Sequence, residues 1–306
     1  DWNQWGGSPA RNNTPEATGL PTDWDPGQFD AKTGAWKPET SRNVAWVAQL
    51  GSQSYGNPVV AGGKAYVGTN NGKGWIGRYP SSVDLGCLLA FNTNDGSFLW
   101  QDSSEKLPTG RVHDWPLQGI CCSPYVEGDR LWYVTSRGEV KCLDTEGFRD
   151  GENDGPYTGE KVASSDEADT VWVLDMMKEL GVSQHNMCSC SVTAVGDLLF
   201  VNTSNGVDEG HINLPNAAAP SFLCVDKRDG KVLWDHKEGT LQYRVELATG
   251  QVFLVEAKET LNTPGMKLAN QGYRGFKHVA ASKADHGVEE DDFRERVFKN
   301  KNHAQE

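Results

Sequence analysis

The feature that most constrains this chain of 306 residues is an internal repeat. Segments 62–72, 128–138 and 196–206 align without a gap, and their first glycines are 66 and 68 residues apart. In each segment a glycine turn comes before an apolar or aromatic run, and polar residues follow the run. Because glycine supplies the positive φ that tight hairpin turns need, each segment predicts the turn and second strand of a β-hairpin.

A second repeated element completes each unit. Segments 89–100 and 223–234 align as strand, Asp-Gly turn and strand, and both end in tryptophan. The middle copy begins at Cys142, and a long polar insertion delays its last strand. Each unit therefore predicts four short strands, which is the content of one propeller blade. We predict that three tryptophans close equivalent strands and pack between blades: Trp100, Trp172 and Trp234.

This repeat resembles the pyrroloquinoline quinone (PQQ) repeat, in which a small residue, an Asp, a Thr/Asp-Gly turn and a closing Trp recur. Quinoprotein dehydrogenases and the BamB-type outer-membrane assembly lipoprotein are built from such blades. Segments 1–7, 50–58 and 150–156 also resemble secreted PQQ-like propeller proteins that are common among planctomycetes. The resemblance covers about residues 1–237 and implies an all-β fold of β-propeller type.

The three clear four-stranded blades predict an incomplete ring, because propellers of this family have seven or eight. An arc of blades leaves open sheet faces at both ends. We therefore expect the terminal segments to cap the arc, or further blades to come from an oligomer or from a longer chain.

Composition divides the chain near residue 240. All 11 Trp and all seven Cys precede that point, and residues 241–306 have no net charge. We predict that residues 1–45 pack on the propeller and that 46–240 form the blades. Residues 241–306 are predicted to be an extension of uncertain structure, mixed or partly disordered, with one strand at 252–255.

Charge and hydropathy exclude some functions. A net charge of −13 repels a phosphate backbone, so the sequence predicts no nucleic-acid partner. No stretch approaches the roughly 20 apolar residues of a membrane span. The chain begins at Asp1 without Met, which fits removal of a signal peptide or an artificial start. With the resemblance of residues 1–7, this predicts a periplasmic or secreted protein.

The acidic insertion suggests a metal site. Residues 150–155 place oxygen ligands at alternate positions before a glycine, as in the first half of a calcium loop. The twelfth position, where a bidentate Glu is expected, is Lys161. Ca²⁺ bound by Asp150, Glu152 and Asp154 is the metal-site hypothesis, and a solvated acidic loop is the interpretation that the sequence favours.

The cysteines and histidines are the other candidates. Some quinoprotein dehydrogenases place a vicinal disulfide over the cofactor, and the resemblance implies this for Cys121 and Cys122. However, Cys122 and Cys190 both lie six residues before a turn glycine, which predicts small buried strand residues. His113 and His185 precede the first strands of the second and third blades, but the sequence alone assembles no Ser-His-Asp triad.

Three functions follow from these observations. The leading hypothesis is a non-catalytic exported propeller that acts as a binding or assembly scaffold, because the repeat is well kept and no catalytic constellation is evident. The alternative is a PQQ- and Ca²⁺-dependent quinoprotein dehydrogenase of alcohols or sugars, for which no catalytic or PQQ-binding residue can be assigned. The third is a module that binds a polysaccharide or a small ligand through the aromatic segment 75–79.

Overall fold

The structure, a computed structural model, describes residues 1–235 apart from 12, 16 and the side chain of Trp234, and the backbone alone of 241–246, 251–257 and 276–278. Strands dominate these residues, beside one α-helix, α1 (Met176–Leu180), and single 3-10 turns at Pro38–Thr40, Asn71–Lys73, Gly110–Val112 and Gly147–Arg149. The all-β class is confirmed. No helix among the described residues is long and apolar enough to cross a membrane.

The strands occur in the order that the sequence repeat predicts, with four strands in each unit. A two-stranded ribbon, β1 (Gln28–Phe29) and β2 (Trp36–Lys37), comes first. Blade 1 contains β3 (Val59–Ala61), β4 (Lys64–Asn70), β5 (Leu85–Asn92) and β6 (Phe98–Glu105). Blade 2 contains β7 (Tyr125–Glu127), β8 (Arg130–Val134), β9 (Glu139–Asp144) and β10 (Thr170–Asp175). Blade 3 contains β11 (Thr193–Val195), β12 (Leu198–Asn202), β13 (Phe222–Asp226) and β14 (Val232–Asp235).

Each blade is a four-stranded antiparallel sheet whose strands pair in chain order. The repeated turn glycines Gly62, Gly128 and Gly196 have φ of 57°, 60° and 57°, as the sequence predicted. A three-stranded sheet follows: β15 (Leu241–Glu246), β16 (Gln251–Ala257) and β17 (Phe276–His278). The strand predicted at 252–255 lies within β16. The proposed domain boundaries stay a prediction.

The hydrophobic core lies between sheets. Side chains from blades 1 and 2, such as Tyr66, Trp100 and Leu143, form one buried cluster. A second cluster joins blades 2 and 3. A third packs the segment before β3, including Trp46 and Leu50, against the other face of blade 1. Because period-two alternation sends side chains to both faces of each sheet, one blade contributes to two clusters.

Tryptophans join neighbouring sheets in the same way at two blade junctions. The indole Nε1 of Trp100 donates to the carbonyl of Thr145 at 3.0 Å, and that of Trp172 donates to the carbonyl of Lys227 at 3.1 Å. The accepting residues occupy equivalent positions after the third strand of the next blade. The prediction of inter-blade packing is confirmed for these two residues, whereas the side chain of Trp234 lies outside the described residues.

Trp46 makes the same contact with blade 1, which sequence reasoning missed. Its Nε1 donates to the carbonyl of Thr93 at 2.7 Å. A Cβ built on Gly96 would lie 2.5 Å from its ring, and a Cβ on Gly230 would lie 2.6 Å from the ring of Trp172. Glycine in the turn therefore gives the indole the space that it occupies.

We predict that Gly230→Ala destabilises the protein more than Gly196→Ala. Both glycines have positive φ, so either alanine costs about 1 kcal/mol of backbone strain. Only at Gly230 does the new methyl group meet an indole, because nothing lies within 4 Å of a Cβ at Gly196. Overpacking should add about 1–3 kcal/mol to the loss. Urea unfolding measures both losses, and equal values would contradict the docking role of Gly230.

Candidate functional site

The segments that enter the first strand of each blade meet around one pocket, which we call the axial pocket. Its volume is about 320 Å³. It is lined by Trp5, Arg11, Tyr55, Gly56, Asn57, Cys121, Ser123, Ser189 and Ser191. Asn57, Ser123 and Ser191 each lie five residues before the turn glycine of their blade. Equivalent positions of successive blades can meet only near the axis about which the blades repeat, so this pocket lies on the inner side of the arc.

Short polar side chains hold the entry segments together. Ser123 Oγ donates to the carbonyl of Asn57 at 2.8 Å, and the Ser123 N–H donates to Ser191 Oγ at 2.9 Å. A Cβ on Gly56 would collide with the carbonyl of Cys122. Only small residues allow the three segments to approach this closely.

The N-terminal segment crosses the inner strands and reaches the pocket. Trp2 exchanges backbone hydrogen bonds of 2.6 and 2.8 Å with Val60 of β3. Asn3 accepts from the N–H of Val126 of β7 at 2.8 Å, and its side chain donates to the carbonyl of the same residue at 2.7 Å. Residues 1–11 thus connect blades that have no common backbone ladder.

Arg11 supplies the positive charge of the pocket. Its Nη2 donates to the carbonyls of Ser191 and Val192 at 3.0 and 3.2 Å, and also to Thr193 Oγ1. Its guanidinium lies 4.8 Å from the ring centroid of Trp5. No carboxylate of the described residues forms an ion pair with it, and burial lowers the pKa of Arg11. The charge is therefore partly desolvated, and the described residues that hydrogen-bond to it are neutral.

The cysteine prediction is confirmed in part. All seven cysteines lie in the described part of the chain, and none forms a disulfide in the structure. Cys122, Cys142 and Cys224 are buried, as the repeat register predicted, but Cys190 is only half-buried. Cys121 is half-buried at the pocket wall, whereas the Cys122 thiol donates to the carbonyl of Val134 at 3.1 Å.

The predicted calcium ligands lie apart from the axial pocket. Asp150 and Glu152 are exposed, and Asp150 Oδ1 accepts from the Glu152 N–H at 2.9 Å. Asp154 Oδ2 pairs with Arg130 at 3.0 Å. Within the described ranges, no three His, Cys, Asp or Glu side chains are arranged to hold a metal ion. Here a guanidinium balances the Asp154 carboxylate, and the calcium site stays a prediction.

The predicted histidines are not part of the axial pocket. His113 Nε2 lies 3.3 Å from Ser183 Oγ, and its Nδ1 lies 3.1 Å from Thr109 Oγ1. A hydroxyl thus stands where a catalytic triad has a carboxylate, and burial lowers the pKa of His113. His185 and His211 form an edge-to-face pair with ring centroids 4.6 Å apart.

The aromatic segment 75–79 is divided between two environments. Trp75 stacks on Phe98 with ring centroids 4.8 Å apart, and its Nε1 donates to the carbonyl of Gln49 at 3.0 Å. Its ring therefore packs against the fold. Arg78 and Tyr79 line a different cavity, between blades 1 and 2.

Sequence reasoning missed most of the axial pocket. Arg11, Asn57, Ser123 and Ser191 belong to no chemical motif, and they are far apart in sequence. The signal that could have found three of them is their common distance from the turn glycines. For Arg11 no such signal exists, because residues 1–45 stand outside the repeat.

Comparison with known proteins leaves the family open. No protein-family model and no curated protein matches the chain. A quinohemoprotein alcohol dehydrogenase from Comamonas testosteroni has a TM-score of 0.45 at 10% identity, over 77% of this chain and 27% of its own. A second quinohemoprotein alcohol dehydrogenase, from Pseudomonas putida HK5, has a TM-score of 0.39 at 12% identity, over 67% of this chain and 23% of its own. BamB from Moraxella catarrhalis has a TM-score of 0.28 at 14% identity, over 75% of this chain and 61% of its own.

The chain thus spans about a quarter of the length of the two dehydrogenases. Because these TM-scores lie below 0.5, the propeller-type fold rests on the sheets and inter-blade contacts of this chain. The likeness to secreted planctomycete proteins stays a prediction.

We predict that a disulfide reagent such as dithionitrobenzoate labels Cys121 first in the native protein. Cys121 and Cys190 are the two half-buried thiols, and burial raises their pKa values to about 11 and about 12. Cys121 should therefore hold more thiolate than Cys190 at pH 8, and its labelling rate should rise with pH up to about 11. Peptide mass spectrometry identifies the label. Equal labelling of the five buried cysteines would contradict this assignment.

Proposed function

We propose that this chain is a non-catalytic PQQ-like propeller that binds a carboxylate ligand in the axial pocket. The observation that carries the proposal is Arg11, a partly buried cation without a carboxylate partner among the described residues. A binding role is the leading hypothesis from the sequence. The proposal also keeps the exported location, which the resemblance of residues 1–7 supports.

The donors of the pocket suit an anion. The three hydrogen bonds that Arg11 makes with described residues all start from Nη2, so no described residue takes the N–H groups of Nε and Nη1, which can bond to a ligand. Guanidinium binds a carboxylate through short charge-assisted hydrogen bonds. Hydroxyl and amide groups of Asn57, Ser189 and Ser191 complete a polar wall in which the described residues include no Asp or Glu.

The rim of the pocket suits a planar group. Trp5 is 40% exposed and Tyr55 is 60% exposed, although both are large aromatic residues. Aromatic rings at a pocket mouth bury flat apolar area at a small cost in conformational entropy. A ligand with a flat body and a carboxylate would therefore contact both the rim and Arg11.

The quinoprotein alternative fits the pocket only in part. PQQ is a planar polycarboxylate, so its anionic edge suits Arg11. A catalytic centre of that type also needs a carboxylate base and hard oxygen ligands for Ca²⁺. The donor set here consists of guanidinium, hydroxyl, amide and thiol groups, which does not fit such a centre. This chemistry favours binding over catalysis.

The carboxylate could belong to a free small molecule or to the C-terminus of a partner protein. Calorimetry with 2-naphthoate, with PQQ and with a peptide carrying a free or amidated C-terminus separates these sources. Binding of either carboxylate source should shift the fluorescence of Trp5. Absence of binding for all carboxylates would overturn the proposal. Reduction of a dye by the PQQ-loaded protein with Ca²⁺ and an alcohol would favour the dehydrogenase instead.

We predict that Arg11→Gln weakens carboxylate binding about tenfold or more, because a charge-assisted hydrogen bond contributes about 1.5–3 kcal/mol. Arg42→Gln is the matched control, since Arg42 is exposed and pairs with Asp23 at 2.6 Å. Its affinity should equal that of the unaltered protein. Because Arg11 also tethers the N-terminal segment, Tyr55→Ala at the exposed rim provides a second test. Unchanged affinity in both variants would contradict the assignment.

A further inference from the structure

A second cavity, of about 210 Å³, lies between blades 1 and 2, and we call it the inter-blade cavity. Asp102 and Ser104 of β6 form one wall, and Lys141 of β9 forms another. Residues 157–162 of the insertion between β9 and β10 contribute most of the third side. The insertion also pairs with blade 1 through a bridge between Gln101 and Glu167. This cavity is independent of the axial pocket.

The floor of the inter-blade cavity is a closed polar network. Lys141 Nζ donates to the two carboxylate oxygens of Asp102 at 3.2 and 3.0 Å. The buried hydroxyl of Tyr133 donates to the same carboxylate. Tyr133 and Asp102 are buried and the Lys141 side chain is 12% exposed, so their hydrogen bonds to one another hold the three groups in one geometry before any ligand arrives.

Ser104 breaks this pattern of satisfied groups. It is 4% exposed, it lines the cavity, and its hydroxyl has no hydrogen-bond partner among the described residues. Buried hydroxyls in folded proteins almost always have a partner. An unpartnered hydroxyl at the wall of a polar cavity indicates a group in the cavity that bonds to it.

The charges around the cavity are compensated. Four cations each have a carboxylate partner: Arg78 with Glu167, Arg137 with Glu139, Lys141 with Asp102, and Lys161 with Glu105. Glu160 is a fifth carboxyl group without a cation partner among the described residues; it accepts the Thr170 N–H at 3.2 Å, and burial raises its pKa, which favours its neutral form. A charged ligand would therefore be attracted by one member of each ion pair and repelled by the other. A neutral ligand whose hydroxyls both donate and accept fits every one of these pairs.

Size and aromatic lining narrow the ligand further. A volume of 210 Å³ equals the volume that roughly seven water molecules occupy in the liquid. This volume suits one six-membered sugar ring. Tyr79 and Tyr157 line the cavity and offer rings for the C–H faces of a sugar. We infer that the inter-blade cavity binds a single neutral sugar residue, either free or at the end of a glycan.

Saturation-transfer NMR tests this inference with four neutral probes: glucose, mannose, galactose and N-acetylglucosamine. At least one should give a saturable signal, and glucosamine and galacturonate should bind more weakly. The methyl glycoside of the best probe separates the two sources. Retained binding would support a glycan end, and lost binding a free sugar. No saturable signal from any neutral probe, or tighter binding of a charged one, would overturn the inference.

We predict that Ser104→Ala weakens sugar binding roughly 2- to 10-fold, the effect of losing one hydrogen bond. The urea midpoint should stay the same or rise, because no described residue forms a hydrogen bond with this hydroxyl. Ser136→Ala is the matched control. Ser136 is also buried, with an unpartnered hydroxyl among the described residues, but it does not line the cavity. Equal affinities of the two variants would contradict the role of Ser104.

Discussion

The arrangement of the blades depends on one contact, the donation of an indole N–H to the turn carbonyl of the next sheet. Neighbouring blades share no continuous backbone ladder and are joined by isolated backbone hydrogen bonds, such as that from the Gln101 N–H to the carbonyl of Asp166, so side chains fix much of their distance and register. Trp46, Trp100 and Trp172 each perform this task for one blade. A buried indole that reaches a specific acceptor combines large apolar burial with a directional bond. Lateral slip of one sheet would break the bond and leave the N–H buried without a partner.

Both candidate sites arise from this packing. Where the entry segments of the blades converge on the inner side of the arc, they leave a pocket that small residues such as Ser123 and Ser191 line together with Trp5, Arg11 and Tyr55. Where the insertion of blade 2 extends across to blade 1, it encloses a cavity at the blade junction. The sheets supply the frame, and loops outside the repeat supply Arg11, Trp5 and the cover of residues 157–162. Loops on a rigid scaffold commonly carry function for this reason.

The sequence predicts the frame far better than the sites. Turn glycines and closing tryptophans act within one hairpin or one blade junction, so their repetition along the chain is visible without a structure. Trp46 was missed because no strand surrounds it, although its contact is the same. The absence of a carboxylate partner for Arg11 and of a hydrogen-bond partner for the Ser104 hydroxyl, among the described residues, depends on groups far away in sequence. No local pattern records such an absence of partners. The acidic insertion showed the opposite problem, because the motif was visible but the ion pair of Asp154 with Arg130 was not.

The repeat itself separates structural positions from ligand-facing ones. Glycine recurs at the hairpin turn of all three blades, and tryptophan recurs as the third residue of their last strands. At the pocket wall, in contrast, equivalent positions carry Asn57, Ser123 and Ser191. Identical residues there would give a pocket with the symmetry of the blades, which suits a symmetric ligand or none. Asn57 and the two serines, with Arg11 at one side, give the pocket a charged side and a neutral side. A small carboxylate has that same asymmetry, with a charged end and a flat body, so the departures from the repeat are the part of this chain that can encode a ligand.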